Sequence, residues 1–131
     1  MIRCNDGGDN GGNEQSSCIY LDSNGVTIKA CDDANVGDTG VINGVTYTVV
    51  SEQQLRDYID AEYSELNRLV TSKVTNMEDM FYVSEVNQPI GNWDVSNVTN
   101  MYGMFNASSF NQPIGDWDVS NVTNMYGMFN A

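Results

Sequence analysis

From Cys18 to Val50 the apolar positions fall in short β-branched runs, separated by polar pairs that favour chain reversal. Cys18-Ile-Tyr-Leu and Val26-Thr-Ile-Lys-Ala flank Asn24-Gly25, and Gly40-Val-Ile and Val45-Thr-Tyr-Thr-Val-Val flank Asn43-Gly44. Both central residues of a type I′ turn need positive φ, which Asn and Gly tolerate, so the pattern predicts two β-hairpins over residues 18–50. Ser51 then opens a segment with Gln54 as its capping-box partner. Leu55, Tyr58, Ile59 and Tyr63 line one side of it, which predicts an amphipathic α-helix over 51–65. Residues 1–17 hold almost only Gly, Asp, Asn, Ser, Gln and Glu after the first four positions, the composition of a flexible tether.

The pattern changes again at residue 66. Residues 74–97 and 98–121 are identical at 17 of 24 positions, and 122–131 repeats 98–107 without a change. Leu66, Leu69 and Ser72 align with Ile90, Trp93 and Ser96, so a degenerate half-repeat spans 66–73 and the array runs from 66 to 131. A period in this range marks a solenoid, a propeller or an array. Within a unit, Trp93, Val95, Val98 and Met101 alternate with polar residues as in a bent strand. Met101, Met104 and Phe105 then stand at i, i+3 and i+4, as in a short helical turn. The predicted core positions are Trp93, Trp117, Val95, Val119, Met101, Met125, Phe105 and Phe129. Asn76, Asn100 and Asn124 recur beside them and are expected to form a ladder of amides bonded to the backbone of the next unit, with Asn97 and Asn121 as alternatives for that task. The helix over 51–65 is expected to cap the array, and its end inside a repeat suggests a piece of a longer chain.

The units, written Phe110-Asn-Gln-Pro-Ile-Gly-Asp-Trp-Asp-Val-Ser-Asn-Val-Thr-Asn-Met-Tyr-Gly-Met-Phe129, resemble the repeat of BspA-like leucine-rich-repeat surface proteins and of mycoplasma-type lipid-associated lipoproteins. The preceding hairpin segment resembles one that adjoins such repeats in Bacteroidetes surface proteins. The resemblance implies a leucine-rich-repeat-like solenoid of period-24 coils, each a short strand plus a short helical turn. It also implies an exported protein, secreted or on the outer-membrane surface, that adheres to protein or glycan on other cells.

Charge narrows the partners further. The net charge is −13, with five basic residues and none after Lys73, so phosphate-rich nucleic acid would be repelled. No run of 18 apolar residues exists that could cross a membrane as a helix, and residues 1–3 are too few for a signal peptide. A turn at Asn24-Gly25 places Cys18 opposite Cys31 at a non-hydrogen-bonded pair, a separation that suits a disulfide and an extracytoplasmic location. The alternative is two free thiols in a reducing compartment. Cys4, ahead of the Gly/Asp/Asn tract, resembles the acylated cysteine of bacterial lipoproteins and is the candidate for lipidation, although Arg3 replaces the small residue expected before it.

Catalysis has little to work with. Histidine is absent, and the carboxylates recur with the repeat instead of gathering at one place. No cofactor and no metal site is expected. Asp94 and Asp118 are expected to be solvated, and the methionines to fill core. The exposed row Tyr102, Tyr126, Thr99, Thr123, Ser96 and Ser120 is the expected binding surface. The expected function is therefore a non-enzymatic adhesin-like module; the alternative is a structural or accessory lipoprotein subunit of an outer-membrane or extracellular assembly, in contact with another subunit.

Overall fold

The computed structural model describes residues 18–130. Strands β1 (Ile19–Leu21) and β2 (Ile28–Ala30) form an antiparallel pair. Strands β3 (Thr39–Ile42), β4 (Val45–Val49) and β5 (Leu69–Val70) form a second sheet, in which β3 and β4 are antiparallel and β4 and β5 parallel. A parallel pair needs a long crossover. Helix α1 (Glu52–Asp60) and the 3-10 turn Leu66–Arg68 lie within it.

The two hairpins close differently. At β3–β4, Asn43 (φ 52°) and Gly44 (φ 82°) make a two-residue turn between the paired Ile42 and Val45. At β1–β2 the closing bond runs from Asp22 N to Thr27 O at 2.8 Å, so the loop has four residues. Asn24 causes this: its Oδ1 accepts from Val26 N (2.8 Å) and Thr27 N (2.9 Å), and only Gly25 takes positive φ. The facing residues are unchanged but the pair types are exchanged. Cys31 N donates to Cys18 O at 2.8 Å, which corrects the expected non-hydrogen-bonded pairing.

Cys18 and Cys31 are both disulfide-bonded, and in a chain of three cysteines that is only satisfied by a bond to each other. The bridge sits in a small core with Ile19, Ile28, Ala30, Val49 and Val70. The tether over 1–17 and the lipidation of Cys4 lie outside the described residues. Replacing both bridge cysteines by serine should cost about 3 kcal/mol, the loop-closure entropy of a loop of this size. A urea titration of the variant against the oxidised protein measures it, and equal midpoints would show the bridge to be idle.

Helix α1 is held at its start by the reciprocal Ser51 and Gln54 bonds. It stops at Asp60, short of residue 65, because Glu62 turns left-handed (φ 56°) and Tyr63 N reaches back to Tyr58 O at 3.0 Å, an end of the Schellman type. Leu55 and Ile59 are buried in the main core, which runs on through Leu66, Phe81 and Trp93 to Met128.

The leucine-rich-repeat-like solenoid is overturned. The molecule is a small domain of two small sheets and one α-helix. Beyond β5 the described residues contain turns and two isolated parallel bridges, Asn76–Asn100 and Asn100–Asn124, with no strand and no helix per repeat. The reason is local. Asp94 Oδ1 accepts from Ser96 N and Val98 N donates to Val95 O, which bends the chain where a strand was expected. Left-handed residues at Gly103 (φ 62°) and Ala107 (φ 55°) break the segment after Met101 into successive turns where a helical turn was expected.

Candidate binding surface

Successive repeat units are joined by backbone bonds at nearly constant offset. Met77 N donates to Asn100 O, and Met101 N to Asn124 O, each at 2.8 Å. Phe81 N donates to Met104 O and Phe105 N to Met128 O, again at 2.8 Å. Thr99 N and Thr123 N donate to the carbonyls of Thr75 and Thr99 respectively, and their hydroxyls reach the same acceptors at 3.3 and 3.1 Å. These rungs hold equivalent side chains of neighbouring units in register.

Register produces an exposed aromatic row. Tyr102 and Tyr126 stack with ring centroids 5.7 Å apart and planes 24° from parallel, and both face solvent. Thr99 and Thr123 are exposed nearby in the chain, with their hydroxyls partly committed to the rungs. Ser120 is exposed and Ser96 half-buried, its hydroxyl bonded to Asp94 Oδ1 at 2.6 Å. Ser96 is thus a framework residue more than a surface one. The Ser120 hydroxyl and N–H bond the Asp118 carboxyl and hold it below the usual carboxylate range.

The core positions divide by unit. Trp93, Val95, Met101 and Phe105 are buried, as is Trp117, while Val119 is partly buried. Met125 and Phe129 are exposed, 43% and 65%, which corrects their assignment to the core. Their equivalents Met101 and Phe105 are covered by the following unit, and among the described residues nothing lies over the last one.

The amide ladder to the backbone is formed by the alternative pair, Asn97 and Asn121, and not by Asn76, Asn100 and Asn124. Oδ1 of Asn76, Asn100 and Asn124 accepts from the N–H two residues ahead, in Glu78, Tyr102 and Tyr126, which closes a turn in each unit, and Asn100 Nδ2 reaches the Glu78 side chain of the preceding unit at 3.1 Å. The asparagine bonds to the neighbouring unit's backbone that recur at an equivalent position run from Asn97 to Ser72 O (2.9 Å) and from Asn121 to Ser96 O (2.7 Å). The tryptophans add to them: indole N–H of Trp93 donates to Leu66 O, and that of Trp117 to Ile90 O. Gln88 and Gln112 do the same toward Tyr63 O and Asn87 O.

Asp94 is the second correction among the polar residues, since it is buried and accepts bonds from Ser72 and Ser96 where solvation was expected. Cys18, Cys31 and Asp33 bring ligand atoms within 4.8 Å of one another, but disulfide sulfurs are not thiolate ligands. A groove between α1 and the first unit, lined by Asp60, Glu62, Asp79, Tyr82 and Glu85, escaped the sequence reading. Its signal was present in the first unit's departures from the repeat, since Asp79 stands at the position of Gly103 and Tyr82 at that of Asn106.

No curated protein and no solved structure matches the chain. A family model does match, over residues 51–131, which cover α1 and every repeat unit. The chain therefore belongs to the family described as "Mycoplasma protein of unknown function, DUF285".

Proposed function

We propose that this chain is a non-enzymatic binding module of a bacterial cell surface, adhesin-like, engaging protein or glycan through the tyrosine row. The observation that carries the reading is the stacked, solvent-facing pair Tyr102 and Tyr126, presented by equivalent positions of adjacent units. Flat aromatic side chains give large contact area at small entropic cost and are enriched at binding hot spots. The Cys18–Cys31 bridge supports an extracytoplasmic location, on the outer-membrane surface or secreted. The repeat's resemblance to BspA-like proteins of Bacteroidetes supports the same setting, with Cys4 as the point of any lipid anchor. The absence of histidine supports a role without catalysis.

The test is retention of cell-surface proteins or glycans on the immobilised chain. Changing both tyrosines to serine should weaken retention at least about tenfold while leaving the melting temperature nearly unchanged, because exposed side chains contribute little to stability. Equal retention by the variant, or none by the original, would remove the proposal.

A further inference from the structure

We infer that the groove between α1 and the first full repeat unit is a docking site for a basic peptide segment, one that carries aliphatic residues between its arginines. The groove encloses about 500 Å³, within the range of ligand-binding clefts. Units 74–97 and 98–121 differ at seven positions, and five of the seven, Asp79, Tyr82, Val83, Glu85 and Val86, line this groove. The next unit carries Gly103, Asn106, Ala107, Ser109 and Phe110 at those positions. A repeat otherwise held nearly constant thus has two added carboxylates and an added tyrosine and valine at one place.

Packing against α1 does not account for these departures. Of the five side chains only Val86 is buried, whereas Tyr82 and Val83 stay 55% and 60% exposed. Both structural neighbours of the pair are already in place. Val83 N donates to Asn106 O of the following unit at 3.0 Å, and Ile59 and Asp60 of α1 bound the groove on its other side. Tyr82 and Val83 are therefore an apolar surface that the fold itself leaves uncovered among the described residues.

Charge selects the occupant. Asp60, Glu62, Asp79 and Glu85 line the groove and are all exposed, and none of these carboxylates has a hydrogen bond or ion pair among the described residues. No lysine or arginine lines it. The negative end of the α1 dipole lies here as well, and the last turn of the helix has no basic residue to offset it. A second copy of this chain, at net charge −13, is repelled. Arginine meets both halves of the groove, because its guanidinium pairs with carboxylates in a fork and stacks on an exposed tyrosine ring. Aliphatic residues between the arginines cover Val83. The site is separate from the tyrosine row and does not depend on what that row binds.

A short capped peptide alternating arginine and leucine, titrated into the isotopically labelled chain at about 0.15 M salt, provides the test. Saturable amide shifts are expected at residues 59–62 and 79–86 and not at Tyr102 or Tyr126. Tyr82→Asn with Val83→Ala installs the residues of the next unit, and Ala107 takes φ 55° where Val83 takes 53°, so the fold is kept. This variant should bind at least about tenfold more weakly at an unchanged melting temperature. Asp79→Gly with Glu85→Ser, again the residues of the next unit, should weaken binding as much. Raising the salt to about 1 M, which shortens the reach of charge, should weaken it at least about tenfold. Equal binding by a peptide of arginine and glycine would reduce the contact to unspecific charge and overturn the proposal. No shift at about 1 mM peptide, or shifts centred on another face, would overturn it as well.

Discussion

Replacing Trp93 by alanine should lower the free energy of unfolding by about 5 kcal/mol, a drop in melting temperature of roughly 15 °C. Trp93 is fully buried, its ring stacked against Phe81 at 6.0 Å, so truncation leaves a cavity in the main core. It also removes the 2.9 Å bond from the indole N–H to Leu66 O, and Leu66 is itself inaccessible to water. The orphaned carbonyl adds its desolvation cost to that of the cavity. Trp117 supplies an internal control, since its indole N–H makes the equivalent bond to Ile90 O at 3.1 Å and its ring lies 6.3 Å from Phe105. Trp117 is nearer the open end of the core, where Phe129 is exposed and can relax into the space. Its replacement by alanine should cost at least about 1 kcal/mol less, because cavity cost falls where the surroundings can collapse. Denaturant titrations of both variants decide this, and a costlier loss at Trp117 would mean that the core is not centred on the first full unit.

What the sequence disclosed, and what it hid, follows from the range of the interactions. The Asn43-Gly44 turn and the Ser51–Gln54 cap are legible because each depends on a few adjacent residues. The closure at Asn24 depends on the choice of one side chain between capping its own loop and solvent, which the dipeptide alone does not reveal. Strand β5 is two residues long and exists only because β4 lies beside it, so no periodicity announces it. Periodicity likewise shows that Asn76 and Asn97 belong to repeated positions, but both recur at the same interval, and only the folded backbone decides which amide crosses to the next unit. The expectation of a strand and a helical turn per unit failed at Asp94 and Gly103, where side-chain bonding and left-handed φ outweighed apolar spacing. Burial of Met125 and Phe129 was a statement about a neighbour, and the identity of a residue cannot supply its neighbour.

Asp94 and Asp118 make the same point energetically, and they give the second large effect. The two occupy one repeat position, yet Asp94 is buried and Asp118 exposed. Position 70 in the preceding half-repeat is valine, so Ser72 has no aspartate in its own unit and its hydroxyl donates instead to Asp94 Oδ2 at 2.6 Å. Ser96, by contrast, donates to Asp94 in its own unit at 2.6 Å. The Ser72 oxygen also accepts from Ala30 N at 2.9 Å, which ties β2 to the repeats through the same carboxyl group. Asp94→Ala should therefore cost about 3 kcal/mol, because it strands the buried Ser72 hydroxyl and the Ser96 N–H, whereas Asp118→Ala should stay within about 0.5 kcal/mol as an exposed change. Ser72→Ala removes the link from the other side, and the double variant should fall short of the summed costs by about 1–2 kcal/mol. Amide exchange at Ala30 should accelerate in all three variants that break the chain of bonds, since its acceptor is lost or loosened. Additive costs with unchanged Ala30 exchange would show that the hairpin is held to the repeats by apolar packing alone.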